Sequence, residues 1–244
     1  TELLAVGAQR SGESVAARLQ RDPRPPVEFV ATVLEQTADA LAYAHACGVV
    51  HRDVKPDNIL LDRDSGRAMV TDFGIARAAE SGSRLTQTGI AVGTPAFMSP
   101  EQATGDKEVD GRSDLYSLGV VGYLMLAGRL PFEATTTPAM LVKHVSETPP
   151  PIMSVRPSAP GSLVAILEKC LNKRPSDRWD SALQMRDALR RVQRDGSLTR
   201  AGGSMAAAPR AYTPPRDRMS SEYSDKAGHR AEDWAPRGVL EPAP

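Results

Sequence analysis

Apolar positions recur with a helical period through most of this chain, and the exceptions cluster in one region. Across residues 27–47, Val30, Val33, Leu34, Ala38, Leu41 and Ala42 follow an i, i+3, i+4, i+7 rhythm, with His45 on the same face. Pro26 suits the first turn of that helix and Gly48 its stop. Ser113 and Asp114 are read as the cap of a helix running to Ala127, apolar around most of its circumference, with Gly128 as its stop. Such a helix belongs in the centre of a core. Pro138 starts another helix to about Ser146, and Thr148-Pro149-Pro150-Pro151 breaks it. Amphipathic helices over 161–171 and 181–192 follow, and a short one over 15–20 opens after Gly12-Glu13-Ser14.

Between the first long helix and the central one the period disappears. Val49-Val50, Ile59-Leu60-Leu61 and Met69-Val70-Thr71 read as short strands, and residues 1–6 offer another. Residues 75–100 are rich in Gly, Ser and Thr, and a loop of that length inside a compact domain is usually functional. After about residue 193 the composition shifts to Gly, Ala, Pro, Ser and Arg, so 194–244 reads as a disordered tail. The expected fold class is α+β, predominantly helical, occupying residues 1–193.

Composition narrows the function classes. Thirty basic residues balance thirty acidic ones, which gives no electrostatic argument for nucleic acid or an anionic membrane surface. The longest apolar stretch, 115–127, is interrupted by glycines and falls short of the about 20 residues that span a bilayer. No signal peptide is visible, so a soluble, cytoplasmic protein is expected. Cys47 and Cys170 lack ligand spacing and read as buried reduced thiols in helices. His45, His144 and His229 show no ligand spacing either, and read as ordinary helix or tail residues.

The chemistry concentrates in His51-Arg52-Asp53-Val54-Lys55-Pro56-Asp57-Asn58 and in Asp72-Phe73-Gly74. A loop with a carboxylate, a lysine and an amide, followed by a second carboxylate, suits a metal-bound polyphosphate. Mg²⁺ takes oxygen ligands from one or two side chains plus the substrate phosphates. Asn58 and Asp72 can supply those oxygens, which leaves Asp53 free to orient a hydroxyl. An isolated His-Arg-Asp would be a solvated loop, and an Asn five residues after an Asp is often turn chemistry. The ordered combination is what carries the reading.

Five segments, HRDVKPDN (51–58), TDFG (71–74), GTPAFMSPE (93–101), SDLYSLG (113–119) and RPSDRW (174–179), resemble the large C-terminal lobe of bacterial Hanks-type serine/threonine protein kinases. The resemblance runs from about residue 12 to 193 and implies a kinase-like lobe with short strands around its catalytic loop. It implies ATP and Mg²⁺ as cofactors and a protein Ser/Thr hydroxyl as acceptor. Asp53 would then accept or orient the hydroxyl proton, and Lys55 would neutralise charge on the transferring phosphoryl group. Asn58 and Asp72 would hold the metal, and Thr94 would bond Asp53 and Lys55 and seat the substrate. Arg52 would receive a phosphate placed on Thr86 or Thr88 by another, active kinase chain. The resemblance assigns Glu101, Arg178 and Asp114 to structure, the first two as a buried ion pair and Asp114 as the holder of the His51–Asp53 backbone. His51 and Phe73 would pack beneath the site. Ser99 stands where many kinases have alanine.

The small lobe of that family has no counterpart here. Residues 1–54 contain no lysine, and Gly7, Gly12 and Gly48 form neither a G-x-G-x-x-G nor a P-loop. The chain begins at Thr1, as a piece of a longer protein would. The expectation is a serine/threonine kinase fragment with little activity alone. The alternative is a non-catalytic kinase-like module that binds a kinase or its substrate.

Overall fold

A computed structural model describes residues 12–73 and 95–196, all within one compact unit that spans residues 1–203. The architecture is α+β and predominantly helical. In chain order, β1 (Gly12–Ser14), α1 (Val15–Arg21), α2 (Val27–Ala46), β2 (Ile59–Asp62) and β3 (Ala68–Val70) come first. Then follow α3 (Pro100–Ala103), α4 (Gly111–Ala127), α5 (Thr137–Ser146), α6 (Ile152–Val155), α7 (Gly161–Cys170) and α8 (Ala182–Arg194).

The central helix is α4. Fourteen of its 17 residues are buried, so it has no solvent face. Gly119 and Gly122 let it lie close against neighbours: a Cβ at Gly119 would meet Cys170, and one at Gly122 would meet Leu167 and Leu34. Gly128, at φ 72°, ends it in the left-handed conformation that glycine adopts without a Cβ penalty. The cap differs from the expected one. Asp110 is the N-cap and accepts from Arg112 N at 2.9 Å, which places Ser113 and Asp114 inside the first turn. A helix starting three residues earlier frees both side chains for contacts elsewhere.

Helix α2 buries Val30, Val33, Leu34, Ala38 and Leu41 as its period requires, and adds Ala31, Thr37 and Ala44. Its polar flank meets α8, where Arg186 pairs with Asp39 at 2.7 Å and Arg190 with Glu35 at 2.6 Å. Helix α8 buries Met185, Leu189 and Val192, and continues to Arg194, one residue past the boundary expected for the tail. The remainder of that expected tail, from residue 197, lies outside the described residues, as do residues 1–6.

The sheet corrects two expectations. Its order is β1-β2-β3, antiparallel throughout, with Glu13 opposite Leu61 and Leu60 opposite Met69. Gly12-Glu13-Ser14 thus forms an edge strand before Ser14 caps α1 through Ala17 N at 3.1 Å. Glycine is required at the start, because a Cβ on Gly12 would collide with the Leu61 carbonyl. Val49-Val50, read as a strand, is irregular: Val49 N donates back to Ala44 O at 2.9 Å and so belongs to the end of α2. Cys170 is buried, as expected, beside Met185 with sulfurs 3.6 Å apart. Cys47 is exposed, because it is the C-cap residue of α2 and lies beyond the buried face.

Candidate active site

The loop joining α2 to β2 is held by side chains rather than by a neighbouring strand. Asp114, buried in the first turn of α4, accepts from Arg52 N through Oδ1 at 2.7 Å and from His51 N through Oδ2 at 2.8 Å. The positive end of the helix dipole favours a carboxylate in that turn. His45 Nε2 also reaches Asp114 Oδ2, at 2.8 Å, so His45 is no ordinary helix residue. Nothing in the spacing marks it, because its partner lies 69 residues away. These bonds hold Arg52 at φ 63°, a conformation that costs a non-glycine residue on the order of 1–2 kcal/mol.

His51 is buried, and its ring spans two segments. Nε2 lies 2.8 Å from Thr71 O and Nδ1 lies 3.2 Å from Asp53 N. A carbonyl only accepts, so Nε2 carries the proton and Nδ1 accepts from Asp53. Phe73 packs on the same ring with centroids 4.7 Å apart. Two backbone links complete the contact: Thr71 N donates to Asn58 O at 2.9 Å, and β3 pairs with β2. Residues 51–58 and 71–73 therefore form one surface.

On that surface Asp53, Lys55 and Asn58 are in mutual contact. Lys55 Nζ lies 2.9 Å from Asp53 Oδ2. Asn58 Nδ2 donates to Asp53 O at 2.8 Å and to Asp53 Oδ2 at 3.2 Å. Both amide hydrogens are thus spent on Asp53, and the carbonyl end of Asn58 is what remains to bind a cation. A short 3₁₀ turn, Pro56–Asn58, sets this spacing, with Pro56 at its start and Val54 buried ahead of it.

Asp72 behaves differently. It is exposed, sits at φ 56°, and makes no hydrogen bond or ion pair among the described residues. An exposed carboxylate held at positive φ, with no partner among the described residues, is available to a ligand. Two oxygen donors, Asn58 Oδ1 and the Asp72 carboxylate, fit a hard divalent ion that retains waters and substrate oxygens. No group of three or more His, Cys, Asp or Glu side chains among the described residues offers a competing site.

The far end of the long loop is anchored on the helices. Ser117 Oγ donates to Phe97 O at 2.7 Å, and His144 Nε2 donates to Ala96 O at 3.1 Å. His144 is fully buried, with Nδ1 3.0 Å from the Tyr116 hydroxyl. Burial and the charge of Lys173 pull its pKa down to about 4, so it is neutral. It is therefore no ordinary helix residue, and nothing local marks it, because its partners lie on other elements. Thr86, Thr88, Gly74, Gly93 and Thr94 fall outside the described residues.

Behind this anchor lies the pair Glu101 and Arg178. Arg178 donates to Glu101 Oε1 at 2.7 Å and Oε2 at 2.8 Å. Its remaining N–H groups go to the carbonyls of Asn172, Arg112 and Lys173 at 2.8, 3.0 and 2.9 Å. All five guanidinium donors are satisfied. Burial alone would raise the Glu101 pKa, but hydrogen bonds and charge from Arg178 hold it below the ordinary value.

The chain matches the protein kinase domain family over residues 8–189, and it belongs to that family. It is 46% identical over 194 residues to the serine/threonine-protein kinase Pkn1 of Myxococcus xanthus, covering 76% of this chain and 28% of that protein. It is 40% identical over 183 residues to PknA of Mycobacterium tuberculosis, covering 75% of this chain and 41% of that one. The chain thus spans well under half the length of these relatives. Among solved structures, the kinase domain of Mycobacterium tuberculosis PknI superposes with a TM-score of 0.57 at 27% identity, covering 75% of this chain and 63% of that one. The kinase-like helical lobe expected from the sequence is the fold observed. No helix among the described residues is long and apolar enough to cross a membrane.

Proposed function

We propose that this chain carries the phosphoryl-transfer half of a serine/threonine protein kinase site, using ATP and Mg²⁺ to phosphorylate protein hydroxyls. The observation that carries the reading is the Asp53–Lys55–Asn58 contact set together with Asp72, which makes no hydrogen bond or ion pair among the described residues. Asp53 orients the attacking hydroxyl and accepts its proton. Lys55 faces the negative charge on the transferring group, where a fixed cation is worth most in the transition state. Asn58 and Asp72 would hold the metal, which when bound neutralises the nucleotide's phosphates. Thr94 seats the acceptor, and Glu101, Arg178 and Asp114 keep the surrounding backbone in place. The setting this reading implies is cytoplasmic, with a protein substrate as partner.

A second reading is a non-catalytic kinase-like module. It is favoured by one feature, the absence of any lysine in residues 1–54 to pair with the nucleotide. Transfer of labelled phosphate from Mg-ATP to a generic protein acceptor, measured for this chain and for Asp53→Asn, separates the two. Asp53-dependent transfer, however slow, supports the enzyme. Equal background in both chains supports the module.

A further inference from the structure

The short helix α3 contains a side chain with a task beyond capping. Ser99 and Gln102 form a reciprocal cap: Gln102 N donates to Ser99 Oγ at 3.3 Å, and Ser99 N donates to Gln102 Oε1 at 3.1 Å. That arrangement uses only the oxygen of the Gln102 amide, and a glutamate would serve it equally well. The nitrogen goes elsewhere. Gln102 Nε2 donates to the carbonyl of Arg52 at 2.8 Å, across 50 residues of chain.

The Arg52 carbonyl and the Asp53 N–H belong to one peptide unit. Asp53 N is held by His51 Nδ1, and the Arg52 carbonyl by Gln102. The preceding peptide is held by Asp114 at Arg52 N. The two anchors are themselves joined, since Ser99 Oγ lies 2.5 Å from Ser113 Oγ, and Ser113 precedes Asp114 on α4. The result is a closed polar circuit through Gln102, Arg52, Asp114, Ser113 and Ser99. Because φ at Arg52 is 63°, that peptide would swing toward a relaxed conformation if released. The direction of Asp53 is set by that swing.

We infer that Gln102 is a positioning residue: its amide nitrogen fixes the Arg52–Asp53 peptide only when α3 is seated. It thereby links the end of the 75–100 loop to the aim of Asp53. This rests on the reading of Asp53 as the catalytic carboxylate. A residue confined to capping would not distinguish glutamine from glutamate, and this one must.

The test uses the full 244-residue chain, isotopically labelled, comparing wild type with Gln102→Glu by NMR. Glutamate keeps the oxygen that caps Ser99 and loses the donor to Arg52. The expected result is a shift of the Arg52 carbonyl ¹³C resonance and an Asp53 amide that exchanges about tenfold faster. The Gln102 and Ala103 amides keep their protection. Gln102→Met, which removes both hydrogen-bonding ends at similar volume, gives the same change at Asp53 and provides the readout if the glutamate variant fails to fold. An unchanged Arg52 carbonyl and Asp53 amide would overturn the inference. In Gln102→Glu, equal loss of protection in α3 and at Asp53 would also overturn it, by reducing Gln102 to a cap. These signals do not depend on phosphate transfer, so failure of the kinase reading is seen separately, in the Asp53→Asn comparison.

Discussion

His51 Nε2 donates to the carbonyl of Thr71 at 2.8 Å, so the residue before Asp72 is tied to the loop that carries Asp53. Through Nδ1 the same ring also accepts from Asp53 N, and a single imidazole sets the separation of the two carboxylate-bearing segments. Proton transfer by His51 plays no part in this, since both nitrogens are engaged with backbone.

His51→Phe preserves a ring to pack on Phe73 but leaves the Thr71 carbonyl and the Asp53 amide without His51. The expected loss is about 1–3 kcal/mol in urea unfolding, the cost of an unsatisfied polar group. A change below about 0.5 kcal/mol would show that water replaces the imidazole without penalty.

Arg178→Met strands the buried Glu101 carboxylate and should destabilise the chain by about 3–5 kcal/mol. Adding Glu101→Leu removes that stranded charge, so the double variant should be more stable than the single one. Denaturant midpoints of the three chains decide it. A double variant less stable than Arg178→Met would mean that Glu101 is not stranded by the loss of Arg178, and would remove the unpaired charge as the cause of the single variant's loss.

His144 should make stability depend on pH above the carboxylate range. Its folded pKa, about 4, lies below its ordinary value of 6.5, so the fold favours the neutral ring. That contribution is complete above pH 6.5 and is lost as pH falls toward 4, with a ceiling on the order of 3 kcal/mol. Unfolding free energies at several pH values between 7 and 4.5, for wild type and His144→Gln, isolate it. The variant should have the shallower slope. Parallel slopes would remove His144 from the account.

Asp72→Asn should leave stability within about 0.5 kcal/mol of wild type or raise it, since asparagine tolerates positive φ and no folding contact among the described residues is lost. Divalent-ion binding, followed by Mn²⁺ relaxation, should weaken by at least about tenfold with the loss of a ligand charge. A clear fall in stability would assign Asp72 to folding instead.

Thr86 or Thr88 should be phosphorylated when the chain is incubated with an active serine/threonine kinase and Mg-ATP. The added charge, about −1.5 to −2, would find a partner in Arg52. Peptide mass spectra showing neither residue modified would count against this assignment.

Local rules made much of this legible. Period 3.6 outlined α2, α7 and α8, because each has a face that must be buried; an apolar run marked α4, Pro138 and the following prolines bounded α5, and proline and glycine stops marked most of the ends. Asp53, Lys55, Asn58 and Asp72 were visible as a set because the roles proposed for them require fixed residue types at short spacing. The edge strand Gly12–Ser14 was not visible, since three residues carry no period and their partner lies far along the chain. The three-residue error at the start of α4 came from two adequate caps, Asp110 and Ser113, between which only the folded backbone chooses.

The sequence by itself determined which side chains could do phosphoryl chemistry, and which helices would hold a core around α4. Tertiary structure decided what holds those side chains in place. His45, Gln102 and His144 act on partners 69, 50 and 48 residues away, through hydrogen bonds to backbone or carboxylate atoms. Bonds of that kind impose no periodicity on the chain and accept several residue types, so they leave no local trace. They exist only once packing has brought the helices and the loop together.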